Sequence, residues 1–135
     1  MSVKQLSVFA ENKNGSLYAI TEILAAHNID IRAFSIADTQ SYGILRLIVS
    51  DPRAAALALS QEGKIVNVTD VVGAQIPDSK GGLSKLLGVI TEADVAVEYL
   101  YAFTTTEEGK AFVVFRVEDN EKVEKLLVEN GISVM

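Results

Sequence analysis

Apolar side chains along the chain follow two rhythms, one of period two and one of helical spacing, and the pair occurs twice in the same order. Leu6, Val8 and Ala10 alternate with Gln5, Ser7 and Phe9, which predicts a strand over Val3 to Phe9 with one buried face. Leu17, Ile20, Ile23, Leu24 and His27 then recur at helical spacing, and Asn28 is a suitable left-handed stop. Ile29 to Ala37 reads as a second strand, Gln40-Ser41-Tyr42-Gly43 as a turn, and Ile44 to Val49 as a third strand. Asp51-Pro52 marks a helix start, with Asp as cap and Pro at the first helical position, where its missing N–H is not needed. That helix, Arg53 to Gln61, turns Ala55, Ala58 and Leu59 inward and ends at Gly63; Ile65 to Val72 is a fourth strand. The order is βαββαβ.

Ile65 to Ile76 is too long for one average strand of about 5–6 residues. It reads as the fourth strand running into the first strand of a second unit, bent near Gly73. The order then repeats. Gly82 to Ala93 is a helix with Leu83, Leu86, Leu87 and Ile90 inward, Val95 to Phe103 a strand, Thr104 to Gly109 a turn, and Ala111 to Val117 a strand. Asp119 or Asn120 caps a last helix carrying Val123, Leu126 and Leu127, Gly131 closes it, and Ile132 to Met135 is a final strand. A shift of 66 lays Gly15 on Gly81, Leu17 on Leu83, Ile29 on Val95 and Gly43 on Gly109. A shift of 68 then lays Val49 on Val117, Asp51 on Asp119, Leu59 on Leu127 and Gly63 on Gly131. The prediction is an α/β (α+β) chain of two ferredoxin-like units, residues 1–71 and 72–135, each an antiparallel sheet with helices on one face.

Units this small lie near the lower limit for an independent core. Residues 29–36 and 44–49 are apolar on both strand faces, so burial of the second face against another sheet or subunit is expected, and with it a homodimer.

Composition narrows the function classes. The chain has 135 residues, no cysteine and a net charge of −6, so disulfides and thiolate chemistry are excluded and a nucleic-acid partner is not expected. No apolar run reaches membrane-spanning length and the N-terminus lacks a signal-peptide pattern, so the expectation is a cytoplasmic protein without a membrane partner. One histidine and scattered carboxylates give no metal site, no cofactor is implied, and no nucleophile–base set can be assembled, so the protein is not expected to be an enzyme.

The candidate chemistry lies in Asn12-Lys13-Asn14-Gly15-Ser16-Leu17, between the first strand and first helix, and in its second copy Asp78-Ser79-Lys80-Gly81-Gly82-Leu83. A glycine turn opening a helix presents unpaired N–H groups, and the helix dipole favours an anion there by about 0.3–1 kcal/mol when exposed. Such a turn suits the carboxylate of a small ligand, with the N–H groups of Gly15 and Ser16 as donors and Asn12 as an acceptor for an ammonium. The competing reading is a turn that only caps the helix.

The βαββαβ order, with this loop followed by Ile20, Leu24 and Asn28-Ile29-Asp30-Ile31, resembles an ACT domain, and the whole chain resembles a tandem pair of them. The resemblance implies a regulatory module that binds a free amino acid where two ACT units meet. It nominates Asn12, Asn14, Gly15, Ser16 and Leu17 with Asn28, Ile29 and Asp30, and in the second copy Asp78, Lys80, Gly81, Gly82 and Leu83. Asn14 stands where the family pattern has proline, adding either a ligand contact or a helix cap. Asp78 would repel a ligand carboxylate unless Lys80 offsets it, so the two sites are expected to differ. The alternative is a regulatory subunit acting mainly by contact with an amino-acid biosynthetic enzyme. His27 reads as a cap or packing residue or a modest pH sensor. Tyr99, Tyr101 and Phe103 read as packing residues or a pocket wall.

Overall fold

The period-two and helical stretches each find the partner their apolar face requires. In the computed structural model, which describes residues 2–38, 41–104 and 107–135, the elements run β1 (Val3–Glu11), α1 (Ser16–Ala26), β2 (Ile31–Asp38), β3 (Tyr42–Val49), α2 (Pro52–Gln61) and β4 (Val66–Pro77). They continue with α3 (Gly82–Glu92), β5 (Tyr99–Ala102), β6 (Lys110–Arg116), α4 (Asn120–Glu129) and β7 (Ser133–Val134). The βαββαβ order is thus present twice. Contacts divide the chain into Lys4–Thr69 and a second unit made of Asp70–Met135 with the short segment ending at Val3.

In the first unit the strand order is β2-β3-β1-β4. Antiparallel pairing sets Leu6 opposite Leu47 and Val8 opposite Leu45, so the inward residues of both strands share one face. Ile20 and Leu24 from α1 and Ala55 and Leu59 from α2 close over them into one core. The second unit repeats the order as β5-β6-β4-β7, with Val72 opposite Phe115 and Ala74 opposite Val113. There Leu86, Ile90, Val123 and Leu127 cover the sheet.

The paired punctuation residues adopt matched conformations. Gly15 and Gly81 are left-handed N-caps at φ 87° and 85°, and Asn28 and Asp94, ending α1 and α3, both sit at φ 58°. Asp51 and Asp119 each accept the N–H three residues on, at 3.1 Å. Asp119, not Asn120, is therefore the cap of α4.

Some expectations shift. β4 is one continuous strand, Val66–Pro77, with Gly73 inside it. Gly73 is instead a point of close approach, where a β-carbon would lie 2.7 Å from the Val3 side chain and 3.1 Å from Met135. Gln40 lies outside the described residues, but Tyr42 and Gly43 belong to β3, not to a turn: Tyr42 pairs with Glu11 and stacks on Phe9 at 4.9 Å. Gly43 accordingly lacks the positive φ of Gly109. Of the turn expected over Thr104–Gly109, Thr105 and Thr106 lie outside the described residues. Leu17 and Leu83, expected inward, are 42% and 41% exposed. Helical side chains lean toward the N-terminus, so in the first turn they overhang the loop rather than the sheet.

The expected strand from Val95 to Phe103 narrows to β5, with Glu98 still donating its N–H to Arg116 O at 2.9 Å. On the sheet face away from the helices, Ala33 and Ile48 are buried while Phe9 and Tyr42 remain exposed.

Candidate functional site

The loop between β1 and α1 is a chain of local hydrogen bonds ending in a left-handed glycine. Lys13 N–H donates to Glu11 O at 2.8 Å, Asn12 N–H to Ser41 O at 3.4 Å, and Ser16 N–H to Lys13 O at 3.3 Å. The last bond alters the expected donor set, because Ser16 N–H is occupied inside the loop. Among the described residues, the N–H groups of Gly15, Leu17 and Tyr18 have no backbone acceptor. Gly15 thus remains an open donor as expected, and Leu17 and Tyr18 stand in place of Ser16. No side chain caps α1, so Asn14 is not the cap.

Beside this loop lies a cavity of about 290 Å³ whose lining includes Phe9, Glu11, Lys13, Ser16, Tyr42 and Lys64. The end of β1, the start of β3 and the segment between α2 and β4 meet here, fixed by a 3.1 Å bond from Phe9 N–H to Ile65 O. Lys13 Nζ is 2.9 Å from Glu11 Oε2. That hydrogen bond and the Lys13 charge, with a smaller contribution from Lys64, hold the Glu11 carboxyl below the usual glutamate range. Lys13 and Ser16 are the loop residues that reach the cavity; Asn12, Asn14, Gly15 and Leu17 are exposed beside it. Glu11, Tyr42 and Lys64 were missed, because they are scattered in sequence and meet only when the sheet forms. One signal was available: Phe9 is a large apolar residue on the polar side of an alternating strand.

Asn28, Ile29 and Asp30 lie beyond the other end of α1, about 16 Å away at 1.5 Å per helical residue. Within one unit they do not join the loop. Ile29 is buried, and Asp30 exchanges two bonds with Ser50: its N–H reaches Ser50 Oγ at 3.0 Å and its carbonyl accepts Ser50 N–H at 2.9 Å. His27 is exposed there, its Nδ1 2.9 Å from the Ile23 carbonyl, a C-terminal cap in which the ring N–H donates.

The second copy is built differently. Asp78 N–H donates to Gly109 O at 3.0 Å and Gly82 N–H to Ser79 O at 3.1 Å, matching the first loop. Gly82, however, is buried, and a β-carbon on it would collide with the Pro77 carbonyl oxygen. Asp78, Lys80, Gly81 and Leu83 are exposed around this closed corner. The second unit's cavity, about 580 Å³, lies at the opposite end of α3, between Asp94, Glu98, Arg116, Glu118 and Lys122. Glu98 and Arg116 pair across it at 3.3 Å. Among the described residues, no three side chains cluster to hold a metal. No helix among them is long and apolar enough to cross a membrane.

The family model for the ACT domain pair matches residues 1–135. The chain belongs to the ACT domain pair family. The two βαββαβ units are its two ACT units. Protein BT0572 from Bacteroides thetaiotaomicron is 41% identical, with a TM-score of 0.93 over 100% of this chain and 92% of that one. The ligand-free regulatory subunit of aspartate kinase from Thermus thermophilus shares the fold at 14% identity, with a TM-score of 0.69 over 95% of this chain and 91% of that one. The corresponding subunit from Thermus flavus gives 14% and 0.64, over 96% and 92%. No curated protein matches the sequence.

Proposed function

We propose that the chain is a cytoplasmic, non-catalytic regulatory protein that binds a free amino acid at the β1–α1 corner of its first ACT unit and works as a homodimer. The observation that carries this reading is the cavity lined by Glu11, Lys13, Ser16 and Lys64, with the left-handed Gly15 and the open first turn of α1 beside it. A zwitterion needs donors for its carboxylate and an acceptor for its ammonium. The N–H groups of Leu17 and Tyr18 supply the first, and Glu11 supplies the second. Asn12, Asn14 and Gly15 border the ligand from the loop, and Ser16 offers a hydroxyl. The closed corner at Gly82 makes the second copy the poorer site, so Asp78, Lys80, Gly81 and Leu83 are secondary ligand candidates.

The homodimer rests on the edge strand β2, where Phe34 and Ile36 are 58% and 46% exposed. In a dimer, the exposed Asn28 and Asp30 of one copy would complete a site on the loop of the other, with the buried Ile29 anchoring that segment. Ligand binding there would bias the packing of the copies, with a coupling of about 1–3 kcal/mol.

The second reading is a subunit that acts mainly by docking on an enzyme of amino-acid biosynthesis. The shared fold of the Thermus thermophilus aspartate kinase regulatory subunit supports it. A thermal-shift screen of the twenty amino acids, with native mass spectrometry, tests the first reading. A selective rise in melting temperature and a dimer mass are expected. No shift with any amino acid overturns it, and co-purification of a larger enzyme favours the second.

A further inference from the structure

The corner cavity of the first unit carries a charge unlike that of the chain around it. Two ammonium groups, Lys13 and Lys64, line it against one carboxylate, Glu11, in a protein of net charge −6. The second unit's cavity has the opposite balance: Asp94, Glu98, Glu118 and Asp119 face Arg116 and Lys122. Lys13 is engaged with Glu11 at 2.9 Å, whereas Lys64 is half-buried and has no ion pair among the described residues. The stacked rings of Phe9 and Tyr42, 4.9 Å apart, give the cavity an apolar wall beside these charges.

We propose that this cavity selects an amino acid with an acidic side chain, and that the chain carries one such site, in its first unit alone. The proposal rests on the amino-acid reading above and assigns the chemical class of that ligand. A neutral zwitterion brings one ammonium for Glu11 and one carboxylate for a lysine, leaving the cavity with its excess positive charge. An acidic amino acid brings a second carboxylate and leaves the filled cavity neutral. A basic amino acid doubles the excess. Charge complementarity thus orders the classes as acidic, neutral, basic. The volume of about 290 Å³ admits such a molecule.

The duplication supplies the comparison. At the equivalent places of the second unit stand Gln75 for Phe9, Pro77 for Glu11, Ser79 for Lys13, Gly82 for Ser16 and Ile132 for Lys64. Every charge of the first cavity is lost there, and the Pro77 carbonyl blocks any side chain at position 82. Lys80 stands at the place of Asn14, which does not line the first cavity. The same fold therefore keeps the corner and loses its ligand chemistry.

Isothermal titration at low salt with aspartate, glutamate, asparagine, glutamine and lysine tests the proposal, with two-dimensional NMR to place the site. Aspartate or glutamate should bind roughly two- to fivefold more tightly than its amide, the upper part of the range for one exposed ion pair. Lysine should bind least. Lys64→Gln should abolish the acidic preference by weakening aspartate and glutamate more than their amides. Shifts should fall on Glu11, Lys13, Ser16 and Lys64 and spare the corner around Gly82. Succinate, which has both carboxylates but no ammonium, should bind more weakly than aspartate because Glu11 then faces two anions. An acid-to-amide ratio below about twofold, or a ratio unmoved by Lys64→Gln, overturns the acidic assignment while the amino-acid reading stands; tighter succinate binding overturns the amino-acid reading itself. Absence of binding by every amino acid overturns both.

Discussion

Asp30 and Ser50 fasten the start of β2 to the end of β3 with two hydrogen bonds, 3.0 Å into the Ser50 hydroxyl and 2.9 Å from its N–H. In the second unit the equivalent residues are Ala96 and Glu118, and Glu118 lines the larger cavity with Ala96. The serine side chain supplies one of the two bonds, its short-stemmed hydroxyl accepting the Asp30 N–H. Ser50→Ala should cost the first unit about 0.5–1.5 kcal/mol. The Asp30 amide, observed by hydrogen exchange, should lose protection selectively. Unchanged exchange at Asp30 would mean that the hydroxyl bond is not formed in solution.

Gly82 and Gly88 lie on the same helix and should respond to alanine in opposite directions. At Gly82 the added β-carbon meets the Pro77 carbonyl, a backbone atom that cannot swing aside, and the expected loss is about 1–3 kcal/mol. At Gly88 nothing lies within 4 Å, and alanine should stabilise the helix by roughly 0.5–1 kcal/mol. Urea unfolding of both variants, followed by probes in the second unit, checks the sign of each change. Equal effects would contradict the close approach at Pro77.

The duplication was legible because the features that carry it are local. Gly15 with Gly81, Asn28 with Asp94 and Asp51 with Asp119 hold their conformations through their own chemistry, so their spacing announced the βαββαβ order. What the pattern missed depends on neighbours distant in sequence. Tyr42 joins β3 because Glu11 and Phe9 are there to meet it. Leu17 fits the helical stripe, yet its first-turn position carries it past the sheet. Glu11 and Lys64, more than fifty residues apart, showed no motif, although they carry most of the cavity's charge. The loop was visible in the sequence; the pocket beside it was not.

The two aspartate caps should be nearly equivalent. Asp51→Ala and Asp119→Ala each remove one 3.1 Å side-chain acceptor from the first turn of α2 or α4, at an expected cost of about 0.5–2 kcal/mol. Asn in either place should recover most of it. Chemical denaturation of the four variants checks both statements, and a loss in the Asn variants equal to that in the Ala variants would count against a capping role.

Glu11 should titrate below the ordinary glutamate range in a carboxyl-detected NMR experiment, because Lys13 donates to it and Lys64 adds a second positive field. Lys13→Gln should move the midpoint back up, with Lys64→Gln having the smaller effect. The folded value lies below the unfolded one, so the pair's contribution to stability is present above the unfolded pKa. It is lost as pH falls through the folded value. A midpoint unchanged by Lys13→Gln would show that the ion pair is not populated.

The missing side chain at position 82 also bears on how the two halves could have drifted apart since duplication. Ser16 already carries a side chain that lines its cavity, so a different side chain there alters the chemistry of the corner directly. Its twin is locked: any replacement of Gly82 meets Pro77 first, and the strand end would have to be rebuilt before a pocket could be tried. A single carbonyl group thus closes at Gly82 the route that stays open at Ser16.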